Sequence, residues 1–353
     1  MSGPAAGPDA RPIHDLDGWP DEPPDEPTGE RRRGLLRNTR ALWPQALKPR
    51  LGQPGGQYRP RRLMVPRAYL AAEPPQPAPK ISIVTPLRDS AAFIERTLLS
   101  VLGQEYPALE LIVKDGGSSD GGDQIARSFG SGLTLLEGPD RGPANGINQG
   151  FAKTSGELMA WLNSDDLLLP GSLSYVAEYF RRHPEVDLVY GHRIILDDAD
   201  NDIGLWVTPE HCEDTLQWFD YLPQETAFWR RSLWDRLGGL DESFEVAYDW
   251  ELFSRFQLGD ATLVRLPRFL GAYRYHPLQR TERLWTVASA ELDRIRNRRH
   301  ARPVSVDEAK SRVDRFRFRS VPGYLHERAA FRFGRRSAVS VFGGEALRDP
   351  RNP

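Results

Sequence analysis

From Lys80 onward the chain alternates short, uninterrupted apolar runs with longer stretches whose apolar residues recur every three to four positions. Ile81-Ser82-Ile83-Val84-Thr85-Pro86 reads as a buried strand stopped by proline, and Phe93, Ile94, Thr97, Leu98, Val101 and Leu102 then follow at helical spacing. Residues 109–113 read as a second strand, which opens into a glycine-rich loop at 115–122 and a helix over 124–129. A third strand is expected at 133–136, then a turn-rich loop and a helix over 144–153. The apolar run that opens at Leu158 leaves no room for alternation, so it reads as a central strand buried on both faces, ending at Asp165-Asp166 ahead of a Pro170-Gly171 turn. Strand and helix in this order predict an α/β fold: a mostly parallel, twisted sheet wound by right-handed crossovers, with helices on both faces.

Beyond Pro170 the pattern changes from strand–helix units to hairpins. A helix is expected up to His183, β segments at 188–190 and 193–196, an acidic hairpin loop at 197–202 and a return strand at 203–207. A short strand at 226–229, a helix over 231–237 closed by Gly238-Gly239, and a helix over 248–258 carrying Trp250, Phe253 and Phe256 complete a smaller, mixed β region. Residues 261–270 are extended, and a long charged helix begins near Thr281. Three segments follow: 1–79, rich in proline and arginine and expected to be disordered or loosely packed; 80–280, the folded domain; and 281–353, a helical, basic extension.

Composition narrows the class. The chain has 353 residues, of which 39% are apolar, enough for an ordinary core, and a net charge of −2 gives no global attraction to nucleic acid or to an anionic membrane. The single cysteine, Cys212, excludes an internal disulfide. No apolar run approaches the roughly 18 residues of a spanning helix, and Met1-Ser2-Gly3-Pro4 does not begin a secretory signal, so the expected location is cytoplasmic. Arg31 to Trp43 mixes cations with Leu35, Leu36, Leu42 and Trp43; it is either a solvated linker or a peripheral contact with the inner face of a membrane.

The candidate chemistry gathers at one edge of the expected sheet. In an open α/β sheet the ligand crevice lies outside the carboxyl ends of the strands, where Asp115 and the Asp165-Asp166 pair fall. Asp115 either accepts a hydrogen bond from a nucleobase or ribose, with Gly116 and Gly117 admitting close backbone, or simply makes an Asp-Gly turn. The loop lacks the G-x-G-x-x-G spacing of dinucleotide sites and the Gly-Lys-Ser/Thr of a P-loop. Asp166 is either a metal ligand or a helix cap, and Asp249 either a general base or an N-cap.

The ordered set Ile83-Val84-Thr85-Pro86, Asp115-Gly116-Gly117-Ser118-Ser119-Asp120-Gly121, Asp140-Arg141-Gly142 with Asn145 and Asn148, and Leu162-Asn163-Ser164-Asp165-Asp166 resembles the family 2 inverting glycosyltransferases of the GT-A fold. The likeness continues through Pro223-Gln224-Glu225, Gly238-Gly239-Leu240-Asp241-Glu242, Tyr248-Asp249-Trp250-Glu251 and Tyr273-Arg274-Tyr275-His276. It implies a nucleotide-sugar donor, a glycan or glycolipid acceptor, a divalent cation (Mn²⁺ or Mg²⁺) and direct displacement at the anomeric carbon. Thr85 and Asp115 would hold the nucleoside; Asp140, Asn145 and Asn148 would touch the nucleotide or donor sugar; Asp165 would lie by the ribose or sugar. Asp166, joined by His276, would bind the metal, Asp249 would be the general base, and Gln224 and Glu225 would line the acceptor side. The implied setting is synthesis of a cell-surface polysaccharide or glycolipid. This chain has Leu87-Arg88 where relatives commonly carry Tyr-Asn, and glycine where many have a second aspartate after Asp115. A nucleotidyltransferase on a similar sheet and a non-catalytic nucleotide- or carbohydrate-binding module are the competing readings.

Overall fold

The computed structural model describes residues 57–334, 337–342 and 346–351. The first half comprises β1 (Arg61–Arg62), β2 (Met64–Pro66), β3 (Ile81–Leu87), α1 (Ala91–Leu102), β4 (Leu109–Asp115), α2 (Gly122–Arg127), β5 (Thr134–Glu137), α3 (Pro143–Phe151) and β6 (Leu158–Trp161). The second half adds β7 (Leu167–Leu168), α4 (Ser172–Arg182), β8 (Leu188–Leu196), β9 (Asn201–Trp206), α5 (Glu213–Leu216), β10 (Phe228–Arg230), α6 (Arg231–Leu237) and α7 (Tyr248–Leu258). After them come β11 (Leu263–Arg274), α8 (Arg280–Arg283), α9 (Trp285–His300), α10 (Val306–Gly334) and β12 (Ala338–Ser340).

Strand residues of opposite parity feed two different cores, as a pleated sheet covered on both faces requires. Ile81, Ile83, Leu158 and Ala160 join Leu98, Val101, Val176 and Phe180 of α1 and α4 on one side. Val84, Met159 and Trp161 meet Ile147 and Phe151 of α3 and Trp250, Phe253 and Phe256 of α7 on the other. Trp161 and Trp229 are fully buried there, their rings 5.4 Å apart edge to face, so both are core residues.

The sheet runs β1-β9-β8-β10-β6-β3-β4-β5, with β11 joined to β8 and to β7. β6, β3, β4 and β5 are mutually parallel, while β10 lies antiparallel between β6 and β8. The chain enters at β3, winds outward to β5, then returns through α3 to place β6 on the other side of β3. That reversal opens a crevice at the carboxyl ends of β3, β4 and β6. Together with the mixed β region beyond it, this is the largely parallel α/β sheet with helices on both faces expected from the sequence.

β6 ends at Trp161, residues 163–166 turn, and β7 pairs antiparallel with β11. Thr97 Oγ1 lies 2.9 and 2.8 Å from the carbonyls of Ser164 and Asp166, fastening the acid-bearing turn to α1. One expectation is corrected: residues 57–79 are not loose. β1 pairs with β9 and β2 with β12, and Leu63 and Val65 are buried beside Ile194, Leu205 and Phe331. Residues 1–56, with the Arg31 to Trp43 segment, lie outside the described residues. The extension from 281 is helical as expected, and its Ile295, Val313 and Phe316 join the same core as Trp250.

Helix α3 approaches β3 closely at Gly150, where a Cβ would lie 2.5 Å from Val84 Cγ1. Helix propensity alone favours alanine over glycine by about 1 kcal/mol. The clash should reverse that sign: we expect Gly150→Ala to destabilise by about 1–3 kcal/mol. A lower urea midpoint at unchanged slope supports this packing, and a higher midpoint contradicts it.

Candidate active site

Neighbouring strands sit about 4.8 Å apart, so the β3, β4 and β6 ends form one continuous rim. Thr85 is buried on β3 with no partner for its hydroxyl. Asp115 ends β4 opposite Leu87, and its carboxylate accepts bonds from Gly117 N (3.1 Å), Ser118 N (3.1 Å) and Ser118 Oγ (2.5 Å). Its loop is therefore a self-satisfied Asx turn built around the acid. Asp140 packs directly on Gly116, which a Cβ at that position would strike, and accepts a bond from Gly142 N at 3.0 Å. Lys114 is a buried strut: Nζ donates to the carbonyls of Asp115 (2.8 Å) and Gly138 (2.6 Å) and lies 3.8 Å from Asp140. It ties the Asp115 and Asp140 loops together.

The two asparagines of α3 hold protein. Asn145 Oδ1 accepts Arg141 N (3.0 Å) and Gln149 Nε2 (2.8 Å). Asn148 clamps Leu240, donating to its carbonyl and accepting from its N–H, both at 3.0 Å. Asn148 thus positions the segment before α7, with its amide committed at both ends.

The second wall is acidic. Pairing of β7 with β11 puts Arg274 beside the 163–166 turn, where its N–H donates to Asp166 Oδ1 (2.9 Å) and its Nε to the Asp165 carbonyl (2.7 Å). The Arg274 guanidinium also pairs with Asp200. His276 Nε2 lies 3.1 Å from Asp165 Oδ2, with its ring against Phe93 and its Nδ1 buried without a partner. Gln224 donates to the Trp161 carbonyl (2.7 Å) and accepts from Asn163 (3.1 Å). Glu225 is buried with Oε1 3.5 Å from Arg193 Nε.

Burial first, then the charges of Asp165 and Glu225, push the Asp166 carboxyl well above the usual range. Asp249, second residue of α7, bonds Trp250 N at 2.8 Å, yet burial raises it to about 6, with Arg193 opposing and Glu225 adding to the rise. Burial and the neighbouring Asp249 charge likewise raise Asp220. Asp166, Glu225, Asp220 and Asp249 all feel Arg193, whose guanidinium stacks over Trp206 (4.1 Å) and Tyr273 (4.8 Å). The acids on this wall therefore share one electrostatic neighbourhood that includes Arg193.

Asp220 and Arg193 were missed in reading the sequence. Each had a signal: Asp220 is the one charge in Trp218-Phe219-Asp220-Tyr221-Leu222, and Arg193 interrupts the apolar β8. Both are half-buried, and charged residues inside apolar runs are rarely drawn from solvent without a reason.

A cavity of about 560 Å³ opens elsewhere, between α10 and the segment after β9, lined by Thr208, His211, Trp218, Arg312, Phe316 and Tyr324. None of the expected site residues faces it.

A family model described as "Glycosyl transferase family 2" matches residues 82–235, from β3 to α6. The match takes in the parallel strands and the turn that carries Asp165 and Asp166. Asp249 and His276 lie beyond the matched stretch of the glycosyltransferase family. The chain is 33% identical over 190 residues to the O-antigen biosynthesis protein RfbC of Myxococcus xanthus, covering 52% of this chain and 15% of that protein. It is 26% identical over 188 residues to an uncharacterized glycosyltransferase of Rickettsia typhi, covering 51% and 59% respectively. A PGL/p-HBAD biosynthesis glycosyltransferase of Mycobacterium tuberculosis is 28% identical over 193 residues, covering 53% and 73%. The chain thus spans less than two thirds of the first two relatives.

Among solved structures, a mannosyltransferase from Pyrobaculum calidifontis in complex with GDP-Man and Mn²⁺ aligns with TM-score 0.49 and 19% identity over 74% of this chain and 76% of that one. S. aureus TarS 1-349 in complex with UDP-GlcNAc aligns with TM-score 0.49 and 18% identity over 63% and 72%.

Because the folded chain holds the Asp166, Asp220, Glu225 and Asp249 protons more tightly than the unfolded chain, stability falls as pH rises above about 4. Asp220→Asn should therefore raise Tm at pH 7.5 by on the order of 2–4 °C per kcal/mol of repulsion relieved. The gain should shrink at pH 4.5, where the folded side chain is already protonated. Calorimetry at the two pH values decides; an equal change at both contradicts the electrostatic origin.

Proposed function

We propose that this chain transfers a glycosyl group from a nucleotide-diphosphate-sugar to an acceptor hydroxyl with inversion, in the synthesis of a cell-surface polysaccharide or glycolipid. The observation that carries the reading is the raised Asp249 carboxyl on the same wall as Asp166. A base tuned to about 6 is ionised at neutral pH yet retains enough basicity to accept a proton in the transition state. The family match over residues 82–235 supports the same reading.

In this mechanism Thr85 and Asp115 hold the nucleoside, and the loop from Asp140 to Asn148 shapes the donor pocket. Asp165 lies by the ribose or sugar, and Gln224 and Glu225 line the acceptor side. The acceptor oxygen forms its bond to the anomeric carbon from the face opposite the diphosphate, giving its proton to Asp249. The carbon–oxygen bond to the diphosphate breaks with its electron pair leaving on the nucleotide. No covalent glycosyl-enzyme is needed.

The residues fit a hard divalent cation. Asp166 Oδ2 has only Asn163 Nδ2 at 3.5 Å, and its raised pKa marks an uncompensated charge. Among the described residues no group of three or more His, Cys, Asp or Glu forms a complete protein cage. That suits an ion held by one or two side chains together with substrate phosphates. Asp166, with His276 released from Asp165, would hold Mn²⁺ or Mg²⁺, which when bound supplies Lewis-acid stabilisation of the departing diphosphate.

Among the described residues no helix is long and apolar enough to cross a membrane. We place the enzyme in the cytoplasm, with peripheral contact at the inner membrane face where a lipid-linked acceptor would be presented.

Asp249→Asn should lower kcat by about 10²–10⁴-fold while leaving nucleoside diphosphate binding intact. Asp166→Ala should abolish the Mn²⁺-dependent rise in Tm that a matching nucleoside diphosphate gives the wild type. The kcat/KM profile of the wild type should fall below pH about 6, the Asp249 value. A pH-independent rate, or full activity in Asp249→Asn, would contradict the assignment, and NMR of the product anomer tests inversion.

A further inference from the structure

Helix α7 begins without a cap of its own: its N-cap residue is Ala247, which has no side-chain acceptor. The turn that leads into the helix is held instead by an acceptor from α9. The carboxylate of Glu291 takes three consecutive backbone N–H groups, Glu245 at 2.6 Å, Val246 at 2.9 Å and Ala247 at 2.9 Å. Glu291 is 7% exposed, so these bonds are largely shielded from water, and an anion at the positive end of the α7 dipole is favoured.

The same helix grips the surrounding chain at further points. Arg294 Nη2 donates to Ser243 Oγ at 2.9 Å with its guanidinium 4.3 Å over the Phe244 ring. Arg296 Nε donates to the Trp218 carbonyl at 2.9 Å and lies 5.4 Å over Trp250, whose own Nε1 bonds the Leu216 carbonyl at 2.7 Å. Asp249, between Tyr248 and Trp250, is thereby framed by bonds from the C-terminal helix.

We propose that Glu291 is a positioning residue for catalysis, its three backbone bonds fixing the start of α7 and hence the Asp249 carboxylate. The inference rests on the reading of Asp249 as the general base. It also assigns the segment beyond residue 280 a part in the reaction: α9, which lies outside the family-matched stretch, completes the active site. Misplacing a reacting group by about 1 Å costs on the order of 10²-fold in rate, and loss of three bonds at one turn allows a shift of that size.

The test uses the full chain in five forms: wild type, Glu291→Ala, Glu291→Gln, Asp249→Asn and the Glu291→Ala/Asp249→Asn double variant. Transfer is assayed from whichever nucleotide-sugar the wild type uses. Glu291→Ala should lose about 10–100-fold in kcat with the KM for donor within twofold and with wild-type nucleoside diphosphate binding. Glu291→Gln, which keeps a carbonyl acceptor, should recover part of the loss and covers the case where the alanine variant does not fold. In the Asp249→Asn background Glu291→Ala should cost no further activity, because residues acting through one group are non-additive. A kcat within twofold of wild type in Glu291→Ala, or the same fold-loss with and without Asp249, overturns the positioning role. If Asp249→Asn turns over at the wild-type rate, the base assignment fails and this inference falls with it; if Asp249→Asn is inactive and Glu291→Ala is not, only this inference fails.

Discussion

The structure depends on holding carboxylates together where their mutual repulsion and burial both oppose it. Asp166, Asp220, Glu225 and Asp249 come from the turn after β6, the segments between β9 and β10, and the start of α7, and each sits above its ordinary titration range. Arg193 is the cation whose field reaches all four. Such a cluster persists only if its backbone is over-determined, which is how strain at functional sites is generally maintained. The tryptophan-rich core on one face of the sheet, the Thr97 link to the acid turn and the Glu291 bonds to the turn before α7 provide that constraint.

The rim at the ends of β3 and β4 is organised differently. Lys114, Asp140 and Asn145 spend their polar groups on neighbouring loop backbone, so this wall is preorganised by its own hydrogen bonds. A rigid wall facing an electrostatically loaded one suits a reaction in which charge develops on a leaving group, since fixed dipoles and pre-placed charges need no reorganisation as it departs.

How much of this was legible in the sequence follows from what each signal measures. Uninterrupted apolar runs and period-3.6 patterning located β3, β4, α1, α3 and α7, because those elements bury whole faces. The end of the central strand at the acid pair was legible, but β7 was hidden: Leu167-Leu168-Leu169 is too short a run to show that it pairs with β11. Spacing brought Asp115, Asp166 and Asp249 forward as candidates, but could not say that Asn148 would bind Leu240 or that Lys114 would tie two loops, since these are long-range pairings. The weak periodicity of the basic segment after 281 gave no sign of a buried face. Its helices instead insert Ile295, Val313 and Phe316 into the core, with arginines engaged by carbonyls, carboxylates and rings.

The central claim, that the acids on the β7–α7 wall titrate as one field that includes Arg193, is tested most directly by carbon-13 NMR of the Asp249 carboxyl across pH. A midpoint near 6 in the wild type, moving upward in Arg193→Met as the opposing cation is removed, is the predicted result. A midpoint at the ordinary aspartate value of about 4, unchanged by that substitution, would contradict the account.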